Sequence, residues 1–248
     1  MTRVLITNDD GIDSPGLVTL ARAALRHRLD VVVAAPHEES SGTSAGLTVL
    51  GEEPVAKPVE LDGLPGVQCH AVTARPAFIV LSARGGSFGD PPDVVLSGVN
   101  RGINVGRAVL HSGTVGAALT AGMNDLLGLA VSLEHPEPGE LHWDSAEELA
   151  VEVIPLLLDS APGTVLNLNV PALPPAELGP LTRASLASAG SVQTRLEQAG
   201  EATEVVTTVV DGSAEPGTDA YLLRQGKPTV TALRSVSEDP DFTWPAGR

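Results

Sequence analysis

VLITNDDGIDSPGL, residues 4–17, decides the fold. The apolar run VLIT (4–7) has the composition of a strand, and it ends in Asn8-Asp9-Asp10-Gly11. The stretch that follows, LVTLARAALRHRL (17–29), places its apolar residues at helical spacing. A strand that empties through a glycine turn into a helix is the first half of a βαβ unit. The alternation continues along the chain. DVVVAA (30–35), DVVLSG (93–98), LGLAVSLE (127–134) and VLNLNV (165–170) read as further strands, with helices over 114–128 and 145–161. Near-continuous apolar strands alternating with helices predict an α/β, Rossmann-like fold with a mostly parallel sheet flanked by helices. Ligands in such sheets sit beyond the carboxyl ends of the strands.

Residues 51–66 read as a loop-rich excursion, and from about residue 174 the texture becomes proline-rich and polar. Two β-like runs follow, 203–212 and 219–233, the second built around the turn signal QGKP, and they predict a C-terminal extension with a β-hairpin over 219–233. The expected organisation is therefore a core over residues 1–173 and an extension over 174–248.

The chain has 248 residues, 42% of them hydrophobic, enough to bury a sizeable core without staples. Cys69 is the only cysteine, which excludes an intramolecular disulfide and any multi-cysteine metal site. With no apolar run near the roughly 20 residues that cross a bilayer, a cytoplasmic protein without a membrane partner is expected. The formal net charge is −16, with two lysines among fifteen basic residues. Such a surface repels polymeric nucleic acid, whose binding needs clustered basic side chains. A small anionic ligand is still possible where a cation or a helix N-terminus reverses the field locally.

The carboxyl ends of three early strands carry such a local site. The first leads into Asp9 and Asp10, the second into the loop 37–42 with Ser41, and the third into the loop 97–102 with Asn100. If those strands are parallel neighbours, the three loops share one rim of oxygen donors. That donor set suits a hard divalent ion, Mg²⁺, Mn²⁺ or Ca²⁺, more than zinc. Asp-Gly is also a common turn dipeptide, and what separates the two readings is position: two adjacent acids repel, and a cation relieves the repulsion. Next to this rim, Ser112-Gly113-Thr114 opens the helix that follows, where free backbone N–H groups and hydroxyls form an anion cradle. A cation rim adjoining an anion cradle describes a phosphate-ester site. Neither a Walker A loop nor a glycine-rich dinucleotide fingerprint is present.

VLITNDDGIDSPGL, AP-x4-SG (35–42), SGVNRGINVG (97–106), HSGTVGAALTAG (111–122) and GTDAYLLRQGKPTVTAL (217–233), in this order, resemble the SurE family of survival-protein nucleotidases. The resemblance implies a metal-dependent phosphatase acting on nucleoside 5′- and 3′-monophosphates, with one divalent ion per subunit. It also implies a homodimer or homotetramer that exchanges a C-terminal hairpin. Carried over by motif position, the metal ligands fall on Asp9, Asp10, Ser41 and Asn100, with Asp9 and Asp10 also the catalytic carboxylates. The phosphate- and substrate-binding positions fall on Asn8, Gly42, Asn104, Ser112, Gly113 and Thr114. Two segments depart from the family pattern, His37–Ser40 and Ala74–Val80, and both are expected on the substrate side of the pocket. They motivate an alternative, a phosphatase dedicated to a non-nucleotide phosphorylated metabolite. A reading of another class is a non-catalytic metal- or ligand-binding member of the fold.

Overall fold

The structure, a computed structural model, describes residues 1–51, 53–136, 138–188, 191–199, 202–210, 215–239 and 241–242. β1 (Arg3–Thr7) lies inside a nine-stranded sheet, with Val4, Leu5 and Ile6 fully buried, as a strand covered on both faces must be. α1 (Pro15–Arg26) follows, and Leu17, Leu20, Ala21 and Ala24 form its buried stripe at i, i+3, i+4 and i+7. Pro15 starts this helix two residues before the predicted position, because a proline at the first turn sacrifices no intrahelical bond. β2 (Asp30–Pro36) then pairs parallel with β1. Beyond it come β3 (Ala56–Val59) and β4 (Gln68–Val72), which carry the sheet to one edge.

α2 (Pro76–Arg84) leads the chain back to β5 (Val94–Arg101), which pairs parallel with β1 on the side opposite β2. The order of strands therefore reverses between β1 and β5, and a crevice opens at their carboxyl ends. α3 (Gly113–Gly122), β6 (Leu127–Leu133), α4 (Trp143–Leu158) and β7 (Val165–Val170) complete the parallel part. α1 and α4 pack together on one face of the sheet, and α2 packs with α3 on the other. Fully buried Leu17, Leu20, Ile154 and Leu157 belong to the first of these layers, each contributing about 1.5–3 kcal/mol by leaving water.

The C-terminal segment divides between two sheets. β8 (Thr182–Arg183) and β11 (Thr229–Leu233) extend the main sheet, β11 running antiparallel to β7. β9 (Ser191–Ala199) and β10 (Ala202–Val210) form a separate antiparallel pair. The hairpin thus lies at 191–210 and not at 219–233 as expected, since Asp219–Leu223 is the short helix α5 and the strand after it takes its partner from β7. The expected strand 203–212 is observed to Val210, and residues 211 and 212 lie outside the described residues.

Candidate metal and phosphate site

The loop after β1 is shaped by Asn8. Its buried side chain donates from Nδ2 to the Gly11 carbonyl at 2.9 Å and accepts at Oδ1 from the Gly11 N–H at 3.2 Å. This clamp turns the chain and leaves Asp9 and Asp10 at the end of the strand. Asp9 is 4% exposed, and the Thr114 hydroxyl donates a hydrogen bond to its Oδ1. Asp10 accepts the Arg101 N–H at 3.2 Å. The β2 loop is tied to the same place, the Ser40 N–H donating to the Asp9 carbonyl at 2.7 Å.

β5 delivers the third component through a bulge. Ser97 faces Ala130 and Asn100 faces Ser132, so three steps on β5 match two on β6. Gly98 permits this with φ +130°, a conformation in which a Cβ would lie 2.2 Å from the Val131 carbonyl oxygen. A bulge of this kind re-aims the side chain that follows it. Asn100 donates from Nδ2 to the Gly102 carbonyl at 2.8 Å, which leaves its Oδ1 as the atom available to a ligand.

These elements enclose a cleft of about 250 Å³. Of the ten residues expected at the site, Asp9, Asp10, Ser41, Gly42, Asn100, Asn104 and Ser112 line it. Asn8, Gly113 and Thr114 stand behind its wall. Gly113 is close enough that a Cβ there would lie 2.7 Å from Asp9 Oδ2, so glycine lets the start of α3 approach the carboxylate. Ser112 caps α3, its Oγ accepting from the Val115 N–H at 3.1 Å, and the fully buried Thr114 uses its hydroxyl on Asp9. Ser41 faces the cleft, whereas Ser40 is 5% exposed.

The electrostatics of this arrangement favour a cation. Burial pushes the Asp9 carboxyl above its ordinary value, against the opposing bond from Thr114. Burial and then the neighbouring Asp9 push Asp10 up to about 6. Two carboxylates driven up by desolvation, Asp10 also by the neighbouring Asp9, with a hydroxyl and an amide oxygen alongside, fit a hard divalent ion. Among the described residues no group of three or more His, Cys, Asp or Glu is placed to hold a metal, so the set depends on Ser41 and Asn100 as donors.

Asn104 is held from below. Its N–H donates to Asn169 Oδ1 at 2.8 Å, its carbonyl accepts from Asn167 and Asn169, and its own Nδ2 donates to Ser132. Asp219 of α5, fully buried, accepts the Gly106 N–H at 2.8 Å and so fixes the same loop from the C-terminal segment. Sequence reasoning missed Asp219, and it missed Glu39 and His111 as parts of the cleft wall, which Arg101 also lines. Glu39 lies within the atypical segment 37–40 and accepts the Ser41 hydroxyl at 2.7 Å. The second atypical segment, 74–80, leads instead into α2, where Pro76, Ala77, Ile79 and Val80 are buried in the layer shared with α3. Arg75 reaches the Ser40 carbonyl at 3.5 Å, and His37 is an exposed neighbour of Glu38.

The chain is similar to known proteins over most of its length. Residues 4–195 match the family described as Survival protein SurE. The chain is 36% identical over 237 residues to the 5′-nucleotidase SurE of Moorella thermoacetica, covering 93% of this chain and 89% of that one. It is 37% identical over 180 residues to the 5′/3′-nucleotidase SurE of Proteus mirabilis, a match that spans 72% of this chain and 66% of the relative. Among solved structures, the SurE protein from Aquifex aeolicus superposes with a TM-score of 0.71 at 28% identity, covering 94% of this chain and 93% of the other.

Proposed function

The chain belongs to the Survival protein SurE family, and from that premise we propose that it is a metal-dependent phosphomonoesterase that hydrolyses nucleoside 5′- and 3′-monophosphates to nucleoside and phosphate. The observation that carries this reading is the convergence of Asp9, Asp10, Ser41 and Asn100 on one cleft beside the N-terminus of α3. These four residues would hold one divalent ion, Mg²⁺ or Mn²⁺, with Ca²⁺ able to occupy the same oxygen donors. When bound, the ion supplies Lewis acidity to the phosphoryl group and lowers the pKa of water.

The rest of the work falls to the chain. The N-terminal end of α3 offers its dipole to the phosphate oxygens, and Asn104 and Gly42 face the same space. Thr114 keeps the Asp9 carboxylate oriented, so that little reorganisation is needed as charge develops. Asp9 or Asp10 serves as base or as nucleophile in addition to ligating.

The same reading includes assembly into a homodimer or homotetramer through the β9–β10 hairpin, a ribbon that needs a partner surface. It also includes a cytoplasmic location, supported by the lone cysteine, while among the described residues no helix is long and apolar enough to cross a membrane. Hydrolysis of AMP, GMP and p-nitrophenyl phosphate is expected to stop with chelator and return with Mg²⁺ or Mn²⁺. Activity that survives chelation in both Asp9→Asn and Asp10→Asn would overturn the proposal.

A further inference from the structure

A second cavity, of about 320 Å³, adjoins the first and shares Asp10, Glu39 and Arg101 with it. Leu141, Trp143 and Asp13 line the second cavity as well. Resting on the phosphatase reading above, we propose that this cavity is the leaving-group subsite and that it takes an uncharged, aromatic group bearing N–H donors, the nucleobase of the substrate.

Three features carry the argument. The first is rigidity: Trp143 is the first residue of α4, whose Ala146, Leu149, Ala150 and Val153 are buried against the sheet and α1. The indole is packed so closely on α1 that a Cβ at Gly16 would lie 2.9 Å from its Cζ3. A preorganised, half-buried indole offers an aromatic surface at low entropic cost.

The second feature is charge. Three carboxylates, Asp10, Asp13 and Glu39, face one guanidinium, Arg101. Such a wall repels a carboxylated leaving group or a second phosphate, and it accepts the amino and ring N–H groups of a base. The subsite thereby favours nucleoside monophosphates over anionic metabolites.

The third is continuity. The loop between β1 and α1 supplies Asp10 to both cavities and Asp13 to the second. A phosphate seated beside Asp9 and Ser112 can therefore place what it is esterified to against Trp143 without leaving the protein surface.

The test compares wild type with Trp143→Leu, which keeps an apolar side chain against α1. The ratio of kcat/KM for AMP or GMP to that for ribose 5-phosphate, which has no base, is expected to fall roughly 5- to 100-fold, mostly through KM, as loss of one base–aromatic stack implies. An unchanged ratio, including equal loss on all three substrates, overturns the subsite. A second measurement does not need hydrolysis. Adenosine or guanosine, titrated into the metal-free full chain, is expected to quench tryptophan emission in wild type and not in Trp143→Leu. Absence of quenching in wild type, or quenching that persists in the variant, overturns the proposal. If wild type hydrolyses no phosphomonoester yet shows Trp143-dependent quenching, the phosphatase reading fails and the base site stands.

Discussion

Asp10→Asn should stabilise the metal-free protein at neutral pH while removing its response to metal. Asp10 has its pKa raised from 3.8 to about 6, first by burial and next by Asp9. A carboxyl with a raised folded-state pKa binds its proton more tightly when folded, so its contribution is fully present below pH 3.8 and is lost as pH rises through about 6. The rise from 3.8 to about 6 corresponds to about 3 kcal/mol at pH 7.5, taking roughly 1.4 kcal/mol for each tenfold gain in proton affinity. Asparagine removes that charge and can still accept the Arg101 N–H. For a chain of this size about 3 kcal/mol raises Tm by roughly 6–12 °C. The assay is thermal unfolding with EDTA at pH 4 and pH 7.5, then with excess Mn²⁺ at pH 7.5. The variant should melt higher than wild type only at pH 7.5, and only wild type should gain on adding metal, by about 2.7 kcal/mol at a hundredfold excess over Kd. A variant no more stable than wild type at pH 7.5, or one whose advantage persists at pH 4, refutes the reasoning.

Two further substitutions probe the groups behind the cleft. Thr114→Val leaves Asp9 Oδ1 without its hydroxyl partner in a buried place, so a loss of about 1–3 kcal/mol in stability and weaker Mn²⁺ binding by calorimetry are expected, with Thr114→Ser restoring both. Asp219→Asn presents an amide N–H where the carboxylate now accepts from Gly106, Ala187 and Ala220, and should cost a few kcal/mol in denaturant unfolding while accelerating hydrogen exchange at Gly106.

The central strands were legible because burial on both faces makes them continuous apolar runs. Val165–Val170 falls where VLNLNV predicts it, and α4 begins two residues before the expected 145. β3 and β4 were not legible: AKPV is a short edge strand, QCHAV the short strand next to it, and neither carries such a run. The misplacement of the hairpin has a non-local cause. TVTAL alternates as a hairpin arm would, but its partner is β7, whose register Thr229↔Asn169 spans sixty residues of sequence that periodicity does not connect. At the site, the three strand ends were legible because parallel topology puts them on one rim. Trp143 and Asp219 were not, since each meets the cleft region through neighbours far along the chain, and Glu39 was not, since a lone acid in an exposed loop carries no signal of its own. Asp219 reaches Gly106 across 113 positions.

One departure from ordinary sheet chemistry explains what β7 and the C-terminal segment together do for the cleft. Asn167 and Asn169 on β7 are fully buried, where a parallel strand would normally present apolar side chains. Burying amides is costly unless their hydrogen bonds are made, and here Nδ2 of both and Oδ1 of Asn169 go to the backbone of Asn104. Asp219 adds the Gly106 N–H two residues on. The loop from β5 to α3 has its backbone held at two points by side chains from outside the rim. That loop carries Asn104 and ends at Ser112, the cap of α3, so this face of the cleft is fixed before any ligand arrives. β7 and α5, which contribute no residue to the cleft wall, therefore still set its geometry, through polar contacts that only the folded chain brings together.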